Sequence, residues 1–219
     1  MFLKPVMTKF SNKYGNNRWL VKSIKLQRIV YLYSDLEYAN WLKLENDPNV
    51  KYFCEQPLRI ESKDNNGKYY ESIPDMYVLY KNGIEVIQEV KYEGDLLKER
   101  VIKQVEIQKD GCMKNNYKHE VVTEKSLSQS ALLLSNLKLL SKYGILETSY
   151  FLDEVKKHLS STPKTLGQTS NEMGLDFSEV ADQFFSLIKN QDISANIKDL
   201  FLGPLTEVWI DEAKISGEV

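Results

Sequence analysis

The sequence is poor in the residues on which disulfide-stabilised and zinc-binding proteins depend. Its 219 residues include two cysteines and two histidines. Cys54 and Cys112 are too few for a disulfide framework or a four-ligand zinc site, and His119 and His158 have no second ligand at zinc-binding spacing. The sequence also lacks a secretory segment and any apolar run of the roughly 18 to 20 residues that a membrane-spanning helix needs. These absences predict an intracellular protein in a reducing compartment, with no membrane partner.

Two patterns of common enzyme classes are missing as well. No serine lies in a nucleophile elbow, and no glycine-rich loop precedes a helix. The sequence therefore gives no support to acyl transfer or to nucleotide binding.

The charge is nearly balanced in total but unevenly distributed along the chain. The formal net charge is −2, yet residues 1–123 hold 20 basic against 17 acidic residues, and residues 124–219 hold 9 against 14. The first 34 residues contain no acid and seven basic residues, which are Lys4, Lys9, Lys13, Arg18, Lys22, Lys25 and Arg28. Such a basic arm is typical of a segment that lies along phosphates, and its last three members are candidate DNA-binding residues. A solvated tail is the alternative interpretation.

Hydrophobic periodicity divides the chain near Thr123 into an α/β part and a mostly helical part. In the first part we expect helices at 34–45 and about 95–116, a loop at 61–68, a hairpin at 76–92, and further strands at 28–33, 50–54, 58–60 and 119–123. This order predicts an α/β fold in which helices flank a mixed sheet.

The second part has the element order of a winged-helix domain. Helices are expected at 130–143, 149–159, 165–173 and 177–190, followed by strands at 193–202 and 205–210. The outward residues of the last helix are mainly acidic or neutral, so docking on another protein is favoured over DNA readout. The expected division is an arm with the first strand at 1–33, an α/β domain at 34–125 and a winged-helix-like domain at 126–219.

The residues that point to chemistry lie on the two strands of the hairpin. Asp75 follows Pro74, and after thirteen further residues come Glu89, Val90 and Lys91. Two carboxylates and the Val90 carbonyl are hard oxygen ligands for a divalent ion, which activates water for phosphodiester hydrolysis. Lys91 shares the strand face of Glu89, from which it can orient or deprotonate the attacking water. An exposed hairpin with alternating charges is the alternative interpretation.

The register of the hairpin decides whether this site can form. A two-residue turn at Asn82-Gly83 would pair Asp75 with Val90 and turn Asp75 away from the other two side chains. A three-residue loop of Lys81, Asn82 and a left-handed Gly83 would pair Asp75 with Glu89. We therefore predict the three-residue loop, or a bulge of equal effect.

Glu37 is the third candidate carboxylate. Ser34-x-x-Glu37 fits a capping box, in which the glutamate accepts from the Ser34 amide. Glu37 also shares a helix face with Trp41 and Leu44, and an acid on a buried face needs a partner, which a metal ion near Asp75 would provide.

Five short motifs occur in order, and they are SDLE (34–37), EQPL (55–58), PD (74–75), EVK (89–91) and VTEK (122–125). Through them, residues 34–125 resemble the TnsA-type endonuclease of heteromeric cut-and-paste transposases, which belongs to the PD-(D/E)xK restriction-endonuclease-like nucleases. The resemblance implies metal-binding or catalytic roles for Glu37, Asp75 and Glu89, and the catalytic lysine role for Lys91.

The resemblance also implies a function and partners. It implies a Mg²⁺-dependent endonuclease, for which Mn²⁺ can substitute, that cuts the non-transferred 5′ strand of double-stranded DNA at transposon ends in the bacterial cytoplasm. A TnsB-like DDE transposase would be its partner, and a TnsC-like ATPase would contact its C-terminal domain. A stand-alone restriction or phage-defence nuclease is one alternative. A catalytically silent adaptor is another, against which the intact Asp75, Glu89 and Lys91 argue.

Overall fold

The computed structural model describes residues 2, 4–6, 17–63, 69–127, 130–143 and 149–211. The chain divides into one compact unit of residues 1–45 and 49–128 and a second of residues 46–48 and 129–219. The main division lies three residues beyond the boundary expected from the sequence. Two members of the basic arm, Lys9 and Lys13, and most of the expected loop at 61–68 lie outside the described residues.

The first unit contains three α-helices and eight strands among the described residues. The helices are α1 (Asp35–Asn46), α2 (Glu99–Lys114) and α3 (Glu124–Leu127), and a 3-10 turn at Glu93–Asp95 precedes α2. The strands are β1 (Trp19–Ser23), β2 (Arg28–Leu32), β3 (Val50–Glu55), β4 (Ile60–Lys63), β5 (Tyr69–Ser72), β6 (Met76–Tyr80), β7 (Glu85–Val90) and β8 (Lys118–Val122). The expected mixed α/β character is confirmed, but β1, β5 and α3 were not predicted, and β4 includes residues 61–63 of the expected loop.

A four-stranded mixed sheet of order β3-β6-β7-β8 forms the centre of this unit. The first three strands are antiparallel, whereas β8 returns parallel to β7. A parallel return needs a crossover, and α2 supplies it. The helix covers the sheet face of Tyr77 and Ile87, where a core forms that includes Ile107 and Cys112 of α2.

The hairpin of β6 and β7 has the predicted register. Tyr80 N–H donates to the Ile84 carbonyl and Gly83 N–H donates to the Tyr80 carbonyl, which leaves a three-residue loop. Gly83 has φ of +85°, a conformation that side chains resist. Met76 pairs with Gln88, so Asp75 and Glu89 occupy the next opposed positions.

A separate antiparallel ribbon of β1 and β2 precedes α1. The buried Glu45 of α1 holds its turn, because the carboxylate accepts bonds from the Ser23 hydroxyl and from the Ile24 and Lys25 amides. Strand pairing thus extends into the segment that the sequence analysis interpreted as a basic arm.

The second unit packs helices against a small three-stranded sheet. Its described elements are α4 (Ala131–Leu140), α5 (Ser149–Lys156), β9 (Lys164–Thr165), α6 (Leu166–Glu172), α7 (Phe177–Asn190), β10 (Ser194–Ala195) and β11 (Glu207–Trp209). The strand order is β10-β11-β9, and Phe184 and Leu187 of α7 lie fully buried in the core. The helices agree with the expected ones, but the final strands are much shorter. The winged-helix assignment stays a prediction.

Across the described residues, none of the helices combines the length and the apolarity that crossing a membrane requires.

Candidate active site

Asp75, Glu89 and Lys91 meet at the end of the β6–β7 hairpin. Lys91 Nζ forms an ion pair with Glu89 Oε1 and lies 3.8 Å from Asp75 Oδ2. Glu89 is completely buried, whereas the side chains of Asp75 and Lys91 are 16% and 23% exposed. The three-residue loop is the reason for this meeting, because it places the three side chains on one face of the hairpin.

The Val90 backbone completes this arrangement. Its N–H donates to Asp75 Oδ2 over 2.7 Å, and its carbonyl oxygen lies 3.3 Å from Lys91 Nζ. The Lys91 ammonium is therefore surrounded by oxygens of Asp75, Glu89 and Val90. These three groups are the ones expected from the sequence to bind a divalent ion. In the structure, the Lys91 ammonium occupies the position between them.

Glu37 approaches the site from the start of α1 but does not share its hydrogen bonds. Its carboxylate accepts from Tyr33 N–H over 3.0 Å and from the Ser34 hydroxyl over 3.1 Å, while Glu37 N–H donates to Ser34 Oγ. The capping interaction is confirmed with one correction, since the amide bound by the carboxylate is that of Tyr33 and not that of Ser34.

The carboxylates are destabilised as anions by their surroundings. Burial, with the nearby charge of Asp75, raises the pKa of Glu37 to about 8 and that of Glu89 to about 7. Burial also raises the pKa of Asp75, although Lys91 opposes this. For Lys91, burial lowers the pKa, but Asp75 and Glu89 outweigh it and raise the pKa above its ordinary value. A site of this kind gains stability from an added cation.

The expected convergence of three carboxylates on one position is not found. Within the part of the chain that the structure describes, no three His, Cys, Asp or Glu side chains are grouped so that they could hold a metal ion. The carboxylate of Glu37 is bound at the helix start by Tyr33 and Ser34, although its charge interacts with those of Asp75 and Lys91, and its role as a metal ligand stays a prediction. The donor set that fits a hard divalent ion is therefore Asp75, Glu89 and the Val90 carbonyl, at the position of the Lys91 ammonium.

Two residues that the sequence analysis missed contact Glu89 from α2. Gln104 Nε2 donates to Glu89 Oε1 over 2.7 Å, and Gln108 Nε2 donates to Glu89 Oε2 over 2.6 Å. The signal for them was present in the sequence. Both glutamines interrupt the helical stripe of Val101, Ile107 and other apolar residues, and a polar residue on a buried stripe needs a partner.

The three candidate DNA-binding residues have different surroundings. Arg28 donates to both carboxylate oxygens of the buried Glu55, at 2.7 and 2.6 Å. Lys25 Nζ donates to the Leu44 carbonyl in the last turn of α1. Arg28 and Lys25 thus have partners within the fold, and their role in binding phosphate stays a prediction. Lys22 is exposed on β1 and stays a candidate.

Comparison with protein families gives a match within the first part of the chain. Residues 47–124 match the family model described as TnsA-like endonuclease N terminal. The matched segment contains Asp75, Glu89, Val90 and Lys91, whereas Glu37 precedes it. Comparison with curated proteins gives no match. The resemblance inferred from the five motifs is confirmed for this segment.

Proposed function

We propose, from the premise that this chain contains a TnsA-like endonuclease domain, that it cuts the 5′, non-transferred strand of DNA at transposon ends in a metal-dependent reaction. The observation that carries the proposal is the enclosure of the Lys91 ammonium by oxygens of Asp75, Glu89 and Val90 inside the matched segment. A cation position formed by two carboxylates and a carbonyl, with a lysine beside it, suits phosphodiester hydrolysis.

Each residue has a separate part in the proposed reaction. Asp75, Glu89 and the Val90 carbonyl would hold Mg²⁺, or Mn²⁺ in its place. The bound ion would supply polarisation of a phosphate oxygen and a lowered pKa of bound water. Lys91 would orient the attacking water and offset the negative charge that develops on the phosphate. In-line attack by water would leave a 5′-phosphate and a 3′-hydroxyl.

The burial of Glu37 beside this centre supports a different role from the one expected. Its charge and that of Asp75 repel each other, and its oxygens are bound to Tyr33 and Ser34. We propose that Glu37, whose pKa of about 8 keeps it largely protonated in the free protein, loses its proton when the metal ion binds and then adds its negative charge beside the ion.

The proposed partners follow from the family match. A TnsB-type DDE transposase would cut and join the other strand, and a TnsC-like ATPase would dock on the second unit. The excess of acidic residues after residue 123 supports a protein-docking role for that unit over a role in binding DNA phosphates.

Cleavage of labelled transposon-end DNA in Mg²⁺ or Mn²⁺, with and without the transposase, tests the function. We expect strand-specific cleavage that needs both the metal and the transposase and that Asp75→Ala abolishes. Equal cleavage by Asp75→Ala and the parent would refute the site. Efficient cleavage without a transposase would instead support a stand-alone nuclease.

A further inference from the structure

The Glu89 carboxylate is held from α2 by a pair of neutral donors. Gln104 Nε2 donates to one carboxylate oxygen and Gln108 Nε2 donates to the other. Residues four apart on a helix share one face, so both amides reach the same acid. Glu89 and Gln108 are each 0% exposed. Because the two donors carry no charge, they fix the carboxylate while leaving its negative charge available to a cation.

The orientation of the Gln108 amide is itself fixed by its other neighbours. Its Nε2 also donates to Ser72 Oγ over 2.8 Å, and its Oε1 lies 2.9 Å from His119 Nε2. Since an amide oxygen can only accept, His119 donates through Nε2. If the Gln108 amide were turned round, its oxygen would face the Glu89 carboxylate and its hydrogens would face the His119 N–H. Both contacts would then be repulsive.

The second nitrogen of His119 agrees with this assignment. Nδ1 is buried and has no hydrogen-bond partner among the described residues. A proton on Nδ1 would therefore be buried and unsatisfied, which disfavours both the other neutral tautomer and the charged ring. His119 lies on β8 opposite Ile87 of β7, on the strand beside that of Glu89.

We infer that His119 and Gln108 are positioning residues for Glu89. His119 fixes the amide orientation of Gln108, and Gln108, with Gln104, then holds the Glu89 carboxylate towards the position of the Lys91 ammonium. This role rests on the proposed function, because it assumes that a divalent ion takes the position of the Lys91 ammonium during cleavage.

A matched control is available on the same strand. Gln88 is a buried glutamine beside Glu89, but it accepts from Asn40 Nδ2 over 3.0 Å and donates to Glu120 Oε2 over 2.9 Å. Its side chain lies on the other face of β7, since neighbouring residues of a strand alternate. Gln88→Leu therefore removes a buried amide of the same kind without removing a bond to Glu89.

Calorimetric titration of the purified full-length chain with Mn²⁺ alone measures how each variant changes the affinity for the metal. We expect Gln108→Leu and His119→Phe to bind Mn²⁺ about 10–100-fold more weakly than the parent, as is typical for partners of metal ligands. Gln88→Leu should bind like the parent, and His119→Gln, which keeps an N–H donor, should recover part of the affinity. Equal losses in Gln108→Leu and Gln88→Leu, or parental binding by His119→Phe, would overturn the inference.

Crystal structures without metal give a second readout that does not depend on the proposed function. We expect the Glu89 carboxylate to turn away from Lys91 in His119→Phe, and to keep its parental position in Gln88→Leu. If Gln108→Leu fails to fold, Gln104→Leu, at a less buried position of α2, replaces it. An unmoved carboxylate in His119→Phe would overturn the positioning role. Absence of Mn²⁺ binding by the parent, with the carboxylate displaced in the variant, would contradict the proposed function alone.

Discussion

At the scale of single residues, the Lys91 ammonium occupies the position that a divalent ion would need. It contacts Glu89, lies 3.8 Å from Asp75 and lies 3.3 Å from the Val90 carbonyl. The lysine neutralises the buried Glu89 and the partly buried Asp75, so metal binding has to move the ammonium aside. Lysine and metal therefore compete for these oxygens in the free protein and are expected to cooperate once DNA is present.

Lys91→Met separates these two roles. We expect DNA cleavage to fall about 10²–10⁴-fold, because the water-orienting and charge-offsetting group is lost. Mn²⁺ affinity should stay the same or increase, because no ammonium competes for Asp75 and Glu89. Cleavage assays and calorimetry on the same preparation measure both quantities. A large loss of Mn²⁺ affinity would show that Lys91 does not stand in the metal position.

His119 is expected to make stability depend on pH. Burial, with a contribution from Lys109, lowers its pKa below the ordinary value of 6.5, so the unfolded chain binds the proton more readily. The contribution of His119 to stability is complete above its ordinary pKa of 6.5 and is lost as the pH falls through the lower pKa of the folded state. Urea unfolding at pH values from about 7.5 to about 5 should show a smaller loss of stability in His119→Gln than in the parent. Identical slopes for the two proteins would contradict this prediction.

Sequence reasoning found the residues whose spacing is short and missed those that meet only through the fold. Asp75, Glu89 and Lys91 lie on one hairpin, so strand periodicity was enough to place them on one face. Gln104 reaches Glu89 only because α2 crosses back over the sheet. The partner of a buried polar residue on a distant element cannot be assigned from periodicity alone.

At the scale of elements, the three-residue loop between β6 and β7 determines the site. Its register places Asp75 opposite Glu89, and a slip by one residue would turn one of them to the other face. The left-handed Gly83 makes this loop possible.

Gly83→Ala should therefore reduce the free energy of unfolding by about 1–2 kcal/mol, the usual penalty for a side chain in the left-handed region. A Cβ at Gly83 would meet nothing within 4 Å, so the effect comes from the backbone alone. Gly94→Ala is the control, because that position is equally open but has no positive φ, and it should be neutral or slightly stabilising. Urea unfolding measures both variants. Equal effects would show that the loop is not held by the Gly83 conformation.

The β1–β2 ribbon contains an ion pair that the sequence pattern did not predict. A run of basic residues without acids was interpreted as an arm that lies along DNA phosphates. In the structure, Arg28 forms an ion pair with the buried Glu55, which lies 27 residues later in the sequence. The pairing was not predictable, because Glu55 belongs to another strand and its burial is a property of the fold.

Arg28→Ala should be strongly destabilising, since it leaves Glu55 buried without its cation. We expect a loss close to the lower end of the about 3–5 kcal/mol typical of broken buried ion pairs, because Arg28 is 24% exposed. Lys22→Ala, at an exposed position of the same ribbon, should change stability by less than about 0.5 kcal/mol. Thermal or urea unfolding measures the stability of both variants. Similar small losses in the two would show that the Arg28–Glu55 ion pair does not stabilise the fold.

At the scale of the whole molecule, two units divide the proposed work. The first contains the segment that matches the TnsA-like endonuclease family model, and the second contains helices with a small sheet and an excess of acidic residues. The longer helices of both units were predicted from the sequence, whereas the four-residue α3 was not. The short strands of the second unit were overestimated because loop residues such as Leu200 and Phe201 are apolar but exposed. Apolar composition alone could not distinguish a strand from an exposed loop.

The most direct test of the proposed metal position is the location of Mn²⁺ by anomalous scattering in crystals of the full-length protein. We expect one peak or a close pair of peaks bound by Asp75, Glu89 and the Val90 carbonyl, with the Lys91 ammonium displaced from its present position. The proposed metal position would be contradicted if, at a Mn²⁺ concentration that supports cleavage, no peak lay between these oxygens and Lys91 remained bound to Glu89.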